Sequence, residues 1–302
     1  MASLTSYDHV TDTIIKALEA GEVVWQKPWK SCKPANAITG KAYRGINPFL
    51  LALNGMTYSD HRWVTFKQAQ ELGGSVRKGE KGTWIVYSSP SIKKDDGGTV
   101  IAKYFLMRSY TVFNVEQCDG LTKLPALEVQ NSELDANIVA ETLWNKFTDA
   151  PPVGWGDAAF YTPALDRITM PKRETFQNNA HFYATLFHEG AHSTGHSSRL
   201  NRKGIIHHTG FGTADYSFEE LVAEFTSAFL CAEAGLEMPT RENTVAYIQG
   251  WIKALKDDKT LVVKAASQAQ SAADYMQGLK KPTDEPDTTD QIVTDEKVLA
   301  LA

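Results

Sequence analysis

Cysteine is scarce in this chain and forms no pattern: the 3 present, Cys32, Cys118 and Cys231, lie far apart with no CxxC. Such a set builds neither a disulfide framework nor a thiolate metal site, and it suits a reducing, cytoplasmic setting. Long apolar runs are missing as well. No stretch reaches the ~18–20 residues that a membrane helix needs, and the start MASLTSYDHV lacks a charged-then-apolar leader, so membrane and secretory readings are excluded. Strong net charge is absent too. At −5, with 22% charged and 42% hydrophobic residues, the balance is that of an ordinary globular protein.

A length of 302 residues suits two domains of ~100–150. The charge divides along the chain. Residues 1–120 carry 15 Lys and Arg against 11 Asp and Glu, whereas the remaining 182 carry 16 against 25. A mildly basic front and an acidic back point to a nucleic-acid-facing module joined to something else.

The front half reads as α+β with a small sheet. Val10, Ile14, Ile15 and Leu18 recur at helical spacing over Tyr7–Leu18, and Gly21 stops that helix. WQKPWKSCKPAN reads as loop, Asn47-Pro48 precedes a short helix FLLALNG closing at Gly55, and Thr65–Leu72 reads as another with Thr65 as its N-cap. RKGEKG is a basic turn before the strand TWIVYSS, KKDDGG is a hairpin turn, and TVIAKYFLMRSYTVFNV supplies one or two more strands. Turn formers over 118–131 mark a linker. Beyond it, helical patterns cover Ser132–Phe147, Asn178–Gly195, Phe218–Glu233 (capped by Ser217), Asn243–Lys256 and Thr260–Leu279, with short strands at Ala158–Tyr161 and Arg167–Met170. Past Lys281, a Pro-, Asp- and Thr-rich segment with six acids and one lysine reads as a disordered tail. The expected organisation is a small α+β domain over 1–125, a mainly helical domain with a small sheet over 126–281, and the acidic tail 282–302.

Six of the eight histidines fall between His181 and His208, a window containing His188-Glu189-Gly190-Ala191-His192. Residues four apart on a helix share a face, so two imidazoles converge on one point and suit Zn–N bonds of ~2.0–2.1 Å. Glu189, beside the first ligand, is placed to take a proton from an attacking water as the general base of a zinc-dependent metalloendopeptidase. A catalytic zinc wants a third protein ligand. Ser198 stands where a metzincin would have its third histidine, which excludes that variant. Glu220 and Glu224, on a later amphipathic helix, share a face distinct from that of Leu221, Phe225 and Phe229. Glu220 is assigned as third ligand and Glu224 as the carboxylate orienting a ligand imidazole, with the reverse order left open. Glu219 reads as a solvated helix start. His196 either lines the cleft, supporting a ligand, or replaces the assigned Glu. His207, His208 and Tyr216 are candidates to stabilise an oxyanion. The strand Asp166–Pro171 suits the edge along which an extended peptide would pair.

AFYTPALDRITMP, FYATLFHEGAHSTGHSSRLNR and YSFEELVAEFTSAFL resemble the SprT-like zincin domain of the ArdC antirestriction family of conjugative plasmids. PW, YRGINPFLL, WVTFKQA and GGSVRKGEKG resemble that family's single-stranded-DNA-binding domain. The resemblance spans nearly the whole chain before the tail. It implies nonspecific affinity for single-stranded DNA, protection of plasmid DNA from host restriction during transfer, and metal binding through His188, His192 and the EELVAE segment, in a gluzincin-type domain. A protein substrate on the DNA is the implied target of a peptidase. Zn2+ is the expected cofactor, with Mn2+ or Co2+ as alternatives, because nitrogen and oxygen donors discriminate these ions weakly.

A nonspecific single-strand binder wants aromatic stacking platforms in a basic groove. Trp25, Trp29, Tyr43 and Trp63, interleaved with Lys27, Lys30, Arg44, Lys67, Arg77, Lys78 and Lys81, are the candidates. Arg77–Gly82 is the expected phosphate-contacting turn. The alternative from a different class is a non-catalytic protein that shields DNA by occupancy, with a structural or vestigial metal.

Overall fold

The computed structural model describes residues 5–26, 33–55, 57–94, 100–127, 135–206, 214–236 and 245–279. The expected tail at 282–302, the turn after Lys94, and Lys27, Trp29, Lys30, His207 and His208 lie outside them. The front half runs α1 (Ser6–Glu19), β1 (Ala35–Asn36), α2 (Asn47–Gly55), β2 (Arg62–Val64), α3 (Phe66–Glu71), β3 (Ser75–Val76), β4 (Thr83–Lys94), β5 (Val100–Asn114) and β6 (Cys118–Asp119). The back half runs α4 (Ala136–Asn145), β7 (Val153–Trp155), β8 (Phe160–Thr162), β9 (Arg167–Met170), α5 (Asn179–Thr194), α6 (Lys203–Ile206), α7 (Ala214–Ala234), α8 (Val245–Asp257) and α9 (Leu261–Met276).

Local chemistry sets the helix starts. Thr5 and Asp8 form a reciprocal capping box on α1: the Asp8 N–H donates to Thr5 Oγ1 at 3.2 Å, and the Thr5 N–H donates to Asp8 Oδ2 at 2.9 Å. Thr65 and Gln68 repeat the device on α3. Asn178 caps α5 by accepting from the His181 N–H at 3.0 Å. The α7 helix begins at Ala214, so Ser217 is inside its first turn and not the expected cap.

Among the described residues three sheets form: β1-β2-β5-β4, β3-β6 and β7-β9-β8. β5 is one continuous strand, and its antiparallel ladder with β4 begins at Thr83–Val112. In the back sheet β9 pairs with β7 in parallel and β8 antiparallel. The strand expected at the sheet edge is therefore the central one, and β7 and β8 hold the edges.

The two regions differ in architecture yet share a core. Val10, Ile14 and Leu18 of α1, Trp25, and Phe49 of α2 belong to one buried cluster with Phe187 of α5, Phe225 and Phe229 of α7, and Trp251 of α8. Trp25 meets Phe225 and Trp251 edge-on, at centroid distances of 5.1 and 5.0 Å. Phe49 lies 4.8 Å from Phe225. Polar contacts reinforce the seam: Thr11 Oγ1 donates to the Lys259 carbonyl at 2.6 Å, and Arg44 pairs with Asp274.

Within the back half, α9 presents a buried alanine stripe, Ala265, Ala266, Ala269, Ala272 and Ala273, which lets it approach α7 closely. Ser227 Oγ of α7 donates to the Ala184 carbonyl of α5 at 2.8 Å. Among the described residues no helix is long and apolar enough to cross a membrane.

Candidate metal centre

Burial surrounds α5 on nearly all sides; Phe182 to Leu186, Phe187, His188, Glu189, Gly190 and Ala191 include few accessible groups, and His188 and Glu189 are themselves buried. Gly190 is required by this crowding. A Cβ there would stand 2.7 Å from both Met276 Cε of α9 and Trp144 Cζ3 of α4.

One helical turn apart, the rings of His188 and His192 bring their Nε2 atoms to 3.2 Å. The Glu220 carboxylate, arriving on α7, faces both: Oε2 is 3.6 Å from His188 Nε2 and Oε1 is 3.5 Å from His192 Nε2. Four-coordinate zinc with bonds of ~2.0–2.2 Å spaces its ligand atoms by about 3.3–3.6 Å. The two imidazole nitrogens stand near that edge length, each is similarly close to one oxygen of the Glu220 carboxylate, and one donor atom from each residue lies within 4.8 Å of the others, so the group can hold a divalent cation. Glu224, one turn further along α7 and buried, places Oε1 3.7 Å from His188 Nδ1.

Other expected residues fall elsewhere. His196 is not in this group; its Nδ1 pairs with Ser198 Oγ at 2.8 Å and accepts from the Ser198 N–H. Tyr216 is half-buried on the first turn of α7. Glu219 is a correction: it is buried in an ion pair with Arg202, whose Nε donates to its two oxygens at 3.2 and 3.0 Å. Sequence patterning missed this pair because its two members stand on separate elements.

The chain after α5 is tied to the back sheet by charge. Arg199 donates from Nε to the Ser193 carbonyl at 2.8 Å and from Nη1 to Asp166 Oδ2 at 3.1 Å, and Tyr161 Oη donates to Asp166 Oδ1 at 2.7 Å. Burial, then the Asp166 hydrogen bond, pushes the Tyr161 phenol up. Burial alone would raise the Asp166 carboxyl, but the bonds from Arg199 and Tyr161 prevail and hold it below its ordinary value. On the other side of α5, burial and a 2.6 Å bond to Glu141 push Tyr183 up to about 12.

The expected DNA-facing residues divide. Trp25, Tyr43 and Trp63 are corrections: all three are buried. Trp25 fills the shared core, and Tyr43 and Trp63 pack with Leu51, Ile85 and Val112 against the front sheet, where burying a large aromatic outweighs exposing it. Arg44 is engaged with Asp274. Lys67, Lys78 and Lys81 are exposed, as is Arg77, which pairs with Glu80 at 2.8 Å and Asp119 at 3.4 Å. Gly79 holds φ +91° within that turn, a conformation open to glycine. The exposed aromatics are others. Trp84 is 44% exposed and stacks 4.0 Å from the His9 ring, and Phe66 is 53% exposed. Strand alternation could have found Trp84, because its neighbour Ile85 is the inward residue.

Comparison with known proteins follows the same division. Residues 5–113 match the family model for the N-terminal domain of the anti-restriction factor ArdC, and residues 139–268 match that for a zincin-like metallopeptidase. The chain is 38% identical over 293 residues to the DNA primase TraC of Escherichia coli, an alignment covering 89% of this chain and 20% of that protein. It thus spans about a fifth of that relative. Two crystal structures of the antirestriction ArdC protein from the R388 plasmid are similar throughout. The metal-free one is 39% identical with a TM-score of 0.76, covering 91% of this chain and 99% of that one. The Mn(II)-bound one is 41% identical with a TM-score of 0.73, covering 90% and 97%. With an ArdC front domain, a zincin-like back domain and this likeness over about nine-tenths of its length, the chain belongs to the ArdC antirestriction protein family.

Proposed function

We propose that this chain is a cytoplasmic antirestriction protein of a conjugative plasmid that binds single-stranded DNA without sequence preference and carries a zinc-dependent peptidase centre, protecting incoming DNA from host restriction. The observation carrying the enzymatic half is the convergence of the His188 and His192 imidazoles and the Glu220 carboxylate on one point. A divalent cation held there supplies a Lewis acid that polarises a scissile carbonyl. The Glu189 carboxylate accepts a proton from the attacking water and passes it to the leaving amide nitrogen. The Glu224 carboxylate stands 3.7 Å from His188 Nδ1, and a small closure would let it accept the Nδ1–H hydrogen bond, which would fix the tautomer and leave Nε2 free to hold a cation. Mn(II) in the R388 relative supports a divalent ion here, and zinc is the reading drawn from the donor set. The edge strand β8, antiparallel to β9, is the place for an extended protein substrate.

Support for DNA binding comes from the ArdC front domain, the exposed Lys67, Lys78 and Lys81, and a relative named as a DNA primase. Phosphate contacts hold any sequence, and stacking on Trp84 or Phe66 ignores base identity. The test is conjugation into a restricting recipient with wild type and Glu189→Ala. That variant keeps its metal and its affinity for a mixed-sequence oligonucleotide, and it loses peptide hydrolysis and protection. Wild-type protection by Glu189→Ala would remove the peptidase mechanism and leave occupancy of the strand as the protective act.

A further inference from the structure

Behind the metal centre, Arg202 makes a set of contacts that joins the two helices supplying the ligands. Its Nη2 donates to the Ala191 carbonyl at 2.8 Å and its Nη1 to Thr194 Oγ1 at 2.6 Å, both on the last turns of α5. Its Nε donates to both oxygens of Glu219 on α7. Its own backbone N–H donates to the Gly195 carbonyl at 2.9 Å. Ala191 directly precedes His192, and Glu219 directly precedes Glu220. The guanidinium therefore clamps the residue before one ligand to the residue before another.

Space for the clamp comes from two glycines. A Cβ on Gly195 would stand 3.0 Å from Arg202 Nη2, and one on Gly204 would stand 2.5 Å from Glu219 Cγ. Arg202 and Glu219 are both buried. A buried ion pair gains little net stability, because desolvation offsets the attraction, and apolar replacements of both partners are often neutral or better. What such a pair does supply is register, since its hydrogen bonds are directional and the planar fork admits one arrangement.

We propose that Arg202, through Glu219, is a positioning residue for the metal centre: the clamp fixes the rotation and height of α7 against α5, so that the Glu220 carboxylate arrives between the two imidazoles. The inference rests on the metal-centre reading above. It separates two properties that a merely structural ion pair would lose together, fold stability and cation affinity.

The experiment is calorimetric titration of the full chain with Zn(II) and, separately, Mn(II), alongside apo-protein melting, for wild type, Arg202→Met, Arg202→Lys and the pair Arg202→Met/Glu219→Leu. Arg202→Met takes the guanidinium away from the buried Glu219 carboxylate, so it lowers both melting temperature and affinity. The paired variant restores melting close to wild type but leaves affinity about 10- to 100-fold down, the usual cost of losing a group that orients a ligand. Arg202→Lys keeps the charge and loses the fork, and it recovers affinity only in part. A cavity of about 480 Å³ lined by Leu200, Arg202, Gly204, Phe218, Glu219 and Gln268 adjoins the pair, so added guanidinium should raise the Zn(II) affinity of Arg202→Ala. A folded paired variant with affinity within twofold of wild type would overturn the positioning role while leaving the metal centre standing. Failure of the wild type to bind either cation would remove the metal-centre reading itself, and this inference with it.

Discussion

Replacing Trp25 by alanine tests whether the two regions of this chain form one cooperative unit. The side chain is fully buried and touches Phe225 and Trp251 edge-on, so its removal opens a cavity between α2, α7 and α8. Large aromatic-to-alanine changes in cores cost about 3–5 kcal/mol, including edge-on ring contacts of about 0.5–1.5 kcal/mol each. Trp25 Nε1 is buried with no hydrogen-bond partner among the described residues, a strain that alanine relieves, so the lower end near 3 kcal/mol is expected. At this chain length each kcal/mol moves the melting temperature by about 1.5–2 °C, which predicts a fall of about 4.5–6 °C. The assay is calorimetric melting with intrinsic fluorescence. Both regions should lose structure in a single transition displaced as a whole, and Trp25→Phe should recover more than half of the loss. A Trp25→Ala protein that melts like wild type but binds single-stranded oligonucleotides more weakly would refute the shared-core reasoning and return Trp25 to the DNA surface.

Three further outcomes follow from the same geometry. Glu220→Ala should abolish stoichiometric Zn(II) binding, whereas Glu224→Ala should weaken it about 10- to 100-fold; the opposite order in a titration would exchange their roles. Gly190→Ala gains about 1 kcal/mol of helix propensity but forces the Trp144 ring and Met276 apart at a cost of about 1–3 kcal/mol, so melting should drop, and a rise would show that α4 and α9 yield freely. The Asp166 carboxyl, depressed in the folded state, contributes stability that is complete above its unfolded value of ~3.9 and is lost as pH falls through the folded value. Asp166→Asn should therefore melt below wild type at neutral pH and converge with it under acid; a gap that persists at low pH would assign the effect to packing instead.

Periodicity served best where a helix buries one continuous stripe. Val10, Ile14, Ile15 and Leu18 announced α1, and Thr65 as an N-cap announced α3, because capping and amphipathicity are local signals. Helix α7 was placed in type but begins four residues earlier than expected, at Ala214 and not at Phe218. The aromatics misled for a physical reason. Trp25, Tyr43 and Trp63 sit beside lysines and arginines in the sequence, yet adjacency says nothing about facing, and each ring buries more area inward than a groove would gain. β9 was legible as a strand but not as the central one, because sheet order depends on partners that the strand itself does not name. Glu219 failed as a solvated residue for the same reason. Its burial is decided by Arg202, which lies in the segment between α5 and α6.

That failure bears on how the metal centre is built. The HExxH spacing alone places two imidazoles on one helix face, but the third donor arrives on α7, and α7 is steered by neighbours from every part of the chain. Trp25 and Phe49 press on its Phe225 and Phe229 from the front region, the alanine stripe of α9 lies along it, and Arg202 holds its first turns to α5. The front region is thus part of the scaffold that aims Glu220 and Glu224. On the function proposed above, a strand bound on that region would sit close to the metal centre without a tether, and a protein substrate would be selected by its place on the DNA as well as by its own sequence. Severing the chain near residue 125 should then abolish high-affinity Zn(II) binding by the back fragment, and a fragment that titrates like the full chain would show that α7 finds its place without the front.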